Sequence, residues 1–145
     1  MPEKETIERA REDKQQGKAA STQAGEFVRE EIHHVREGKH GARSTKQAIA
    51  IGLSKARRAG VELPPPESGG SEETREQARR DLRRGKSAKK PSKKRSSAIR
   101  KALKREPLKA ASKQALSRQA KIASHSRSKS QRSASAKKAA RTRKR

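Results

Sequence analysis

The sequence predicts a mainly α protein, built as short helical hairpin(s) followed by a long basic, largely disordered C-terminal region. Three observations lead there. Apolar residues recur at helical spacing between residues 22 and 60. Leu, Ile, Val and Phe number only 16 of 145 residues, roughly 11%, below the ~20% that independently folding chains carry. Charge is also divided unevenly: residues 1–66 hold 13 Lys/Arg against 10 Asp/Glu, residues 67–145 hold 28 against 6, and no acid follows Glu106.

The chain opens on an acidic helical stretch carrying Glu3, Glu5, Glu8, Glu12 and Asp13. A first packed helix is expected over residues 22–37, stopping at Gly38, with Val28, Ile32 and Val35 on one stripe and Phe27 beside them. Glu31 interrupts that stripe and requires a cationic partner. A second helix opens at Ser44, where the hydroxyl can cap and Gln47 can reach back three residues later, and closes at Gly60. At ~100° per residue, Ala48, Ile49, Gly52, Leu53, Ala56 and Ala59 share one face, shaped to lie close against the first helix through small residues. Lys46, Lys55, Arg57 and Arg58 fall off that face and are expected to stay in water, and Ile51 falls off it without an evident partner.

"LPPPESGGSEE", from Leu63 to Glu73, precludes helix and reads as an extended, flexible linker. The segments on either side look related. "ETIERAREDKQQGK" (Glu5 to Lys18) and "ETREQARRDLRRGK" (Glu73 to Lys86) agree at eight of fourteen positions at a constant offset of 68. The likeness continues more faintly, with Val28, Arg29 and Ile32 against Ile99, Arg100 and Leu103, and Lys46 to Ile49 against Lys113 to Leu116. The implied organisation is a helical unit at residues 1–62, a Pro/Gly linker at 63–72, a degenerate basic second copy at 73–123 and a disordered basic Ser/Lys/Arg tail at 124–145.

Catalysis is not expected, because no nucleophile–base–acid grouping is arguable with so small a core to hold it. "GLSKARRAG" lacks phosphate-loop spacing and follows a helix rather than a strand. His33 and His34 are adjacent and diverge by ~100° on a helix, with His40 beyond them, so no metal site and no cofactor is expected. Without Cys there are no disulfides, and "MPEKETIERA" lacks the order of a signal peptide. A membrane partner is not expected: no apolar run is long enough to span, and the basic half has no aromatic anchor. A small-molecule substrate is not expected either.

The net charge of +25 and pI near 11.5 point to a polyanion, and nucleic acid is the commonest one. With one Phe, no Tyr and no Trp, there is no platform for stacking unpaired bases, which favours duplex phosphate binding over single-strand recognition. Candidate phosphate-binding residues are Lys46, Lys55, Arg57 and Arg58 on the second helix. In the basic half they are Lys86, Lys89, Lys90, Lys93, Lys94, Arg95, Arg100, Lys101, Lys104 and Arg105, and in the tail Lys137, Lys138, Arg141, Arg143, Lys144 and Arg145. The leading expectation is a non-sequence-specific, nucleoid-associated DNA-binding protein of the cytoplasm. The alternatives are an RNA- or ribosome-associated factor, and a protein-interaction module with a basic localising tail.

"KQAIAIGLSKARRAG", with "STQAGEFVREEIHHVREGKHGARS" before it, resembles a family of small basic bacterial and phage-associated proteins whose domain has no assigned function. The KQAIAIGLS-x-AR core is its most specific piece, and the likeness runs from residue 1 to about residue 64. The tail resembles the Ala/Lys-rich tails of bacterial histone H1-like proteins. The resemblance implies a bacterial source and no catalytic residue.

Overall fold

A computed structural model describes residues 1–67, 69–87 and 89–144. Among them the chain forms seven α-helices and one 3₁₀ turn: α1 (Lys4–Gln15), α2 (Ala20–Arg36), α3 (Thr45–Arg58), α4 (Glu72–Gly85), α5 (Lys93–Leu103), the turn Leu108–Ala111, α6 (Lys113–His125) and α7 (Lys129–Arg143).

The α2–α3 pair is the centre of the molecule. On α2, Ala24, Phe27, Glu31 and Val35 recur at three- and four-residue spacing and are fully or almost fully buried. On α3 the facing row is Ala48, Gly52 and Ala56. A Cβ built on Gly52 would lie 2.7 Å from the Val28 Cα, so only glycine lets the two backbones meet there. The row of small residues expected from the sequence is therefore the packed seam. Ile49 and Leu53, expected as interior residues, are half-buried, and Ala59 is exposed. The seam spends its space on backbone approach, so the large side chains flank it.

Helix ends follow local chemistry. The Ser44 hydroxyl accepts from the Gln47 amide at 3.2 Å, as expected of a cap. The Gln47 side chain, however, accepts from the Arg43 amide at 2.6 Å, one residue before the position a reciprocal capping box requires. α2 begins at Ala20, two residues before its expected start, and stops two residues short of Gly38.

Two apolar clusters flank the seam. Ala10 of α1, Ala24 and Phe27 of α2, Ala56 of α3 and Val61 form one, with Ile7, Leu53 and Leu63 against it. Ile32 and Val35 of α2, Ala42, Ala48 of α3, and Ala110 and Ala111 of the 3₁₀ turn form the other, with Val28 and Leu116 against it. The second half of the chain thus completes the core of the first. The Thr45 hydroxyl donates to the Ala110 carbonyl at 2.7 Å and Arg36 Nε to the Ala111 carbonyl at 2.9 Å. The Gly41 amide donates to the Leu103 carbonyl at 2.9 Å and the Ala42 amide to the Pro107 carbonyl at 3.1 Å.

α4 docks on α3 through Ala78 and Asp81, both buried; Asp81 accepts from the Ser54 hydroxyl at 2.6 Å. Ala10 and Asp13 of α1, at the matching offset of 68 in the sequence, are buried likewise against α2. The Pro-rich segment between α3 and α4 is held at both ends. Arg57 donates to the carbonyls of Leu63 and Pro64 at 3.0 and 3.2 Å, and Arg75 donates to those of Pro66 and Glu67 at 3.2 and 3.3 Å.

The expected disordered C-terminal region is not what forms. The chain is helical through Arg143, with α5, α6 and α7 where low complexity and scarce apolar residues pointed to no structure. The reason is local. Ala, Lys, Arg and Gln are strong helix formers, and a serine hydroxyl caps each helix of this half: Ser71 for α4, Ser92 for α5, Ser112 for α6 and Ser128 for α7. At α7 the cap is a full capping box with Gln131. Every described residue of α7 is exposed, so propensity and capping set this helix rather than burial.

Candidate nucleic-acid interface

Three of the four cations expected on the open side of α3 are engaged by partners within the protein, two of them covered and Arg58 at the surface. Lys55 is mostly covered, with Nζ at 2.6 Å from Glu31 Oε2 and 3.6 Å from Glu30 Oε1. Arg57 is buried with 7% exposure, and its guanidinium serves the carbonyls of the extended segment. Burial pushes the Arg57 pKa down from its usual value, with nearby Asp81 opposing the shift. Arg58 donates to the Ser54 carbonyl at 3.3 Å and lies 3.6 Å from Asp81. The expectation of water holds for Arg58, which is exposed, and fails for Lys55 and Arg57, because long aliphatic stems carry a charge sideways to a partner that a helical projection does not show. Lys46 alone of the four is exposed and free of ion pairs among the described residues. Glu31, in turn, finds in Lys55 the cation its buried position requires.

The second group is placed differently. Lys86, Lys89 and Lys90 lie exposed between α4 and α5, and Lys93, Lys94, Arg95, Arg100 and Lys101 are exposed on α5. Lys104 and Arg105 are exposed in the turn that follows. Lys137, Lys138, Arg141 and Arg143 are exposed on α7, with Lys144 at its C-terminal cap; Arg145 lies outside the described residues. Among the described residues, no Lys or Arg beyond Arg79 makes an ion pair, so these charges face solvent uncompensated.

Residues 11–67 match the family of unknown function DUF6496. No curated protein and no solved structure matches the chain. The matched span begins ten residues later than the resemblance read from the sequence and takes in the end of α1, all of α2 and α3, and the extended segment. It therefore contains Lys55, Arg57 and their buried partners, whereas every uncompensated cation from Lys86 onward lies outside it. The matched segment carries the packed seam, and the chain's excess charge is borne by the helices that follow it.

Sequence reasoning missed the outer face of α4. Arg79, Arg80, Arg83 and Arg84 are exposed opposite the buried Ala78 and Asp81, and Glu76, Arg79, Arg80 and Arg83 line a recess of about 310 Å³. The signal was available: Ala78 and Asp81 define the inward side, and the arginines fall off it. The alignment with α1 matches the buried Ala and Asp of the two helices and carries no information on these outward arginines, which α1 does not share as a row. At the start of α4, Glu72 is held below the usual carboxylate range by hydrogen bonds from Arg75 and then Arg79, which engages one Arg of that face. No helix among the described residues is long and apolar enough to cross a membrane.

Proposed function

We propose that the protein binds duplex nucleic acid, DNA foremost, without sequence specificity, through phosphate contacts made by Lys46 of α3 and by α4 to α7, as a nucleoid-associated protein of the bacterial cytoplasm. One observation carries this reading: residues 83–145 hold 25 Lys/Arg and a single acid, and those described form no ion pair with one another or with the core. Uncompensated charge at this density on helices is unfavourable alone and is relieved by phosphates with release of counterions. The absence of Tyr and Trp, with the only Phe buried at position 27, leaves no exposed aromatic surface for unpaired bases. The tail's resemblance to histone H1-like tails points the same way.

Nucleic acid co-purified with the full chain and digested separately with DNase and RNase tests the reading. DNase-sensitive material, with scrambled duplexes of equal length competing equally, is the expected result. Material sensitive only to RNase would move the protein to an RNA-associated role, and a single preferred duplex would refute phosphate-only binding.

A further inference from the structure

The fold closes a cluster that the sequence leaves open. His33 and His34 diverge on α2, but the loop after α2 returns His40 to the side of His34, with ring centroids 6.1 Å apart and nearly perpendicular. Glu31, one turn before His34, is fully buried at this point. One ligating atom from each of Glu31, His34 and His40 lies within 4.8 Å of the others.

The hydrogen bonds around the cluster assign the nitrogens. His40 Nδ1 donates to the Gly41 carbonyl at 3.0 Å, since a carbonyl only accepts. This leaves Nε2 facing Glu31 Oε1 at 2.9 Å, an approach without hydrogen-bond geometry. His34 Nε2 donates to the Glu3 carboxylate at 2.9 Å, leaving Nδ1 as the free nitrogen, 4.0 Å from Glu30 Oε1. Metal-bound histidines use this arrangement: one nitrogen donates to a carbonyl or carboxylate and the other offers its lone pair. Glu30 Oε1 and both Glu31 oxygens are buried and lack a directed hydrogen bond. Lys55 approaches both carboxylates, Glu31 Oε2 at 2.6 Å and Glu30 Oε1 at 3.6 Å.

We propose that Glu31, His34 and His40 bind a divalent zinc-class ion, with Glu30 placed to complete the coordination. Two imidazoles with carboxylate oxygen suit zinc and not magnesium or calcium, which select oxygen ligands. Zinc bonds of ~2.0–2.1 Å in tetrahedral array set ligand separations of roughly 3.4 Å. Ligand atoms that lie within 4.8 Å of one another therefore close by no more than about 1.4 Å on loading. A pocket of about 160 Å³, lined by Glu3, Arg9, Arg29, Glu30, His33 and Lys39 among others, opens on the His34 side of the cluster. Lys55 holds Oε2 of Glu31 and leaves Oε1 to the metal. Loaded, the site would fasten the loop after α2 to the helix it leaves, and through Glu3 the start of α1 as well. The site is independent of the nucleic-acid reading.

The test uses the full chain, stripped with chelator and titrated with zinc, and with cobalt(II) for its tetrahedral absorption bands. One ion per chain is expected. His34→Gln and His40→Gln each should weaken binding by at least about tenfold to a hundredfold, while His33→Gln, on an exposed position of the same helix, and His125→Gln on α6 should leave it unchanged. At free zinc about 100 times Kd, the folding equilibrium should shift by about a hundredfold, with a rise in Tm absent from His40→Gln. Should the His40 variant fail to fold, side-chain nitrogen spectra of the wild-type chain decide: zinc must move the His34 and His40 signals and leave those of His33 and His125. Zinc that shifts all four alike, magnesium that competes equally, or wild-type protein that takes up no ion would overturn the site and leave a buried ion-pair cluster.

Discussion

Removing α7 separates charge from fold more cleanly than any point substitution. Deleting residues 128–145 takes away Lys129, Arg132, Lys137, Lys138, Arg141, Arg143, Lys144 and Arg145, and no acid. The helix buries none of its residues, so the rest of the chain should unfold at an unchanged temperature. The basic residues are spread around the α7 axis, so about half of the eight can reach phosphates at once, and at ~0.9 per phosphate the slope of log K against log salt should become shallower by about 3.6. Over a fourfold salt range, from roughly 50 to 200 mM, the full chain should therefore lose about 150-fold more affinity than the truncated one. Fluorescence anisotropy with a labelled duplex, in parallel with thermal unfolding of both proteins, reads the two quantities. An unchanged slope would show that α7 does not meet the phosphates. A lowered Tm would show that it supports the core, against the exposure seen throughout it.

Three further outcomes follow from the core. Gly52→Val should destabilise by several kcal/mol or prevent folding, because the new Cβ meets the Val28 backbone at 2.7 Å, whereas Gly25→Ala, with open space around it in α2, should stabilise by about 0.5–1 kcal/mol in denaturant titration; equal effects would mean the seam is misplaced. Arg57→Ala should cost about 2–3 kcal/mol by unfastening the extended segment yet leave duplex affinity unchanged, while Lys46→Gln should do the reverse; a loss of affinity in the Arg57 variant without a loss of stability would restore Arg57 as a phosphate contact. Glu72 has a depressed carboxyl, so its contribution to α4 is in place above the ordinary carboxylate range and is lost as pH falls through its folded-state value. In an Arg75→Ala, Arg79→Ala chain its NMR titration midpoint should rise toward the ordinary range, and a midpoint that stays put would discharge both arginines from the role.

The seam could be read from the sequence because it rests on one period: Ala48, Gly52 and Ala56 four residues apart, opened by Ser44, opposite an apolar stripe containing one acid that had to be neutralised. What could not be read was which cation would neutralise it. Lys55 and Arg57 differ from Lys46 only in what lies beside their stems in space, and that is set by where α2 and the Pro-rich segment pass. His40 is a similar case, since its place beside His34 depends on a loop conformation that side-chain spacing does not encode. The second half was misread for another reason. Ser71, Ser92, Ser112 and Ser128 each start a helix, so capping and propensity outweigh the scarcity of large apolar residues there. Alanines can complete a core when the partner is already built: Ala110 and Ala111 close the second cluster on α2 and α3 without a large side chain of their own in the turn's buried pair.

Under the proposed duplex binding, the same cations that work against α7 as a lone helix would make its contacts. Lys129 and Arg132, Lys137 and Arg141, and Lys138 and Arg141 stand three or four residues apart, and each such like-charge pair opposes the helix by a few tenths of a kcal/mol. Arg141, Arg143 and Lys144 act in the other direction, lying at the negative end of the helix dipole. On that proposal a duplex alongside would replace the repulsion with phosphate contacts, and binding and helix stability would reinforce one another. At ~100° per residue, the six cations from Lys129 to Arg143 are distributed around the whole axis and define no face. A base-reading helix needs one fixed set of side chains aimed into the groove. α7 presents similar charge in every rotation, which suits a surface that meets the phosphate backbone wherever it finds it and leaves the bases unread.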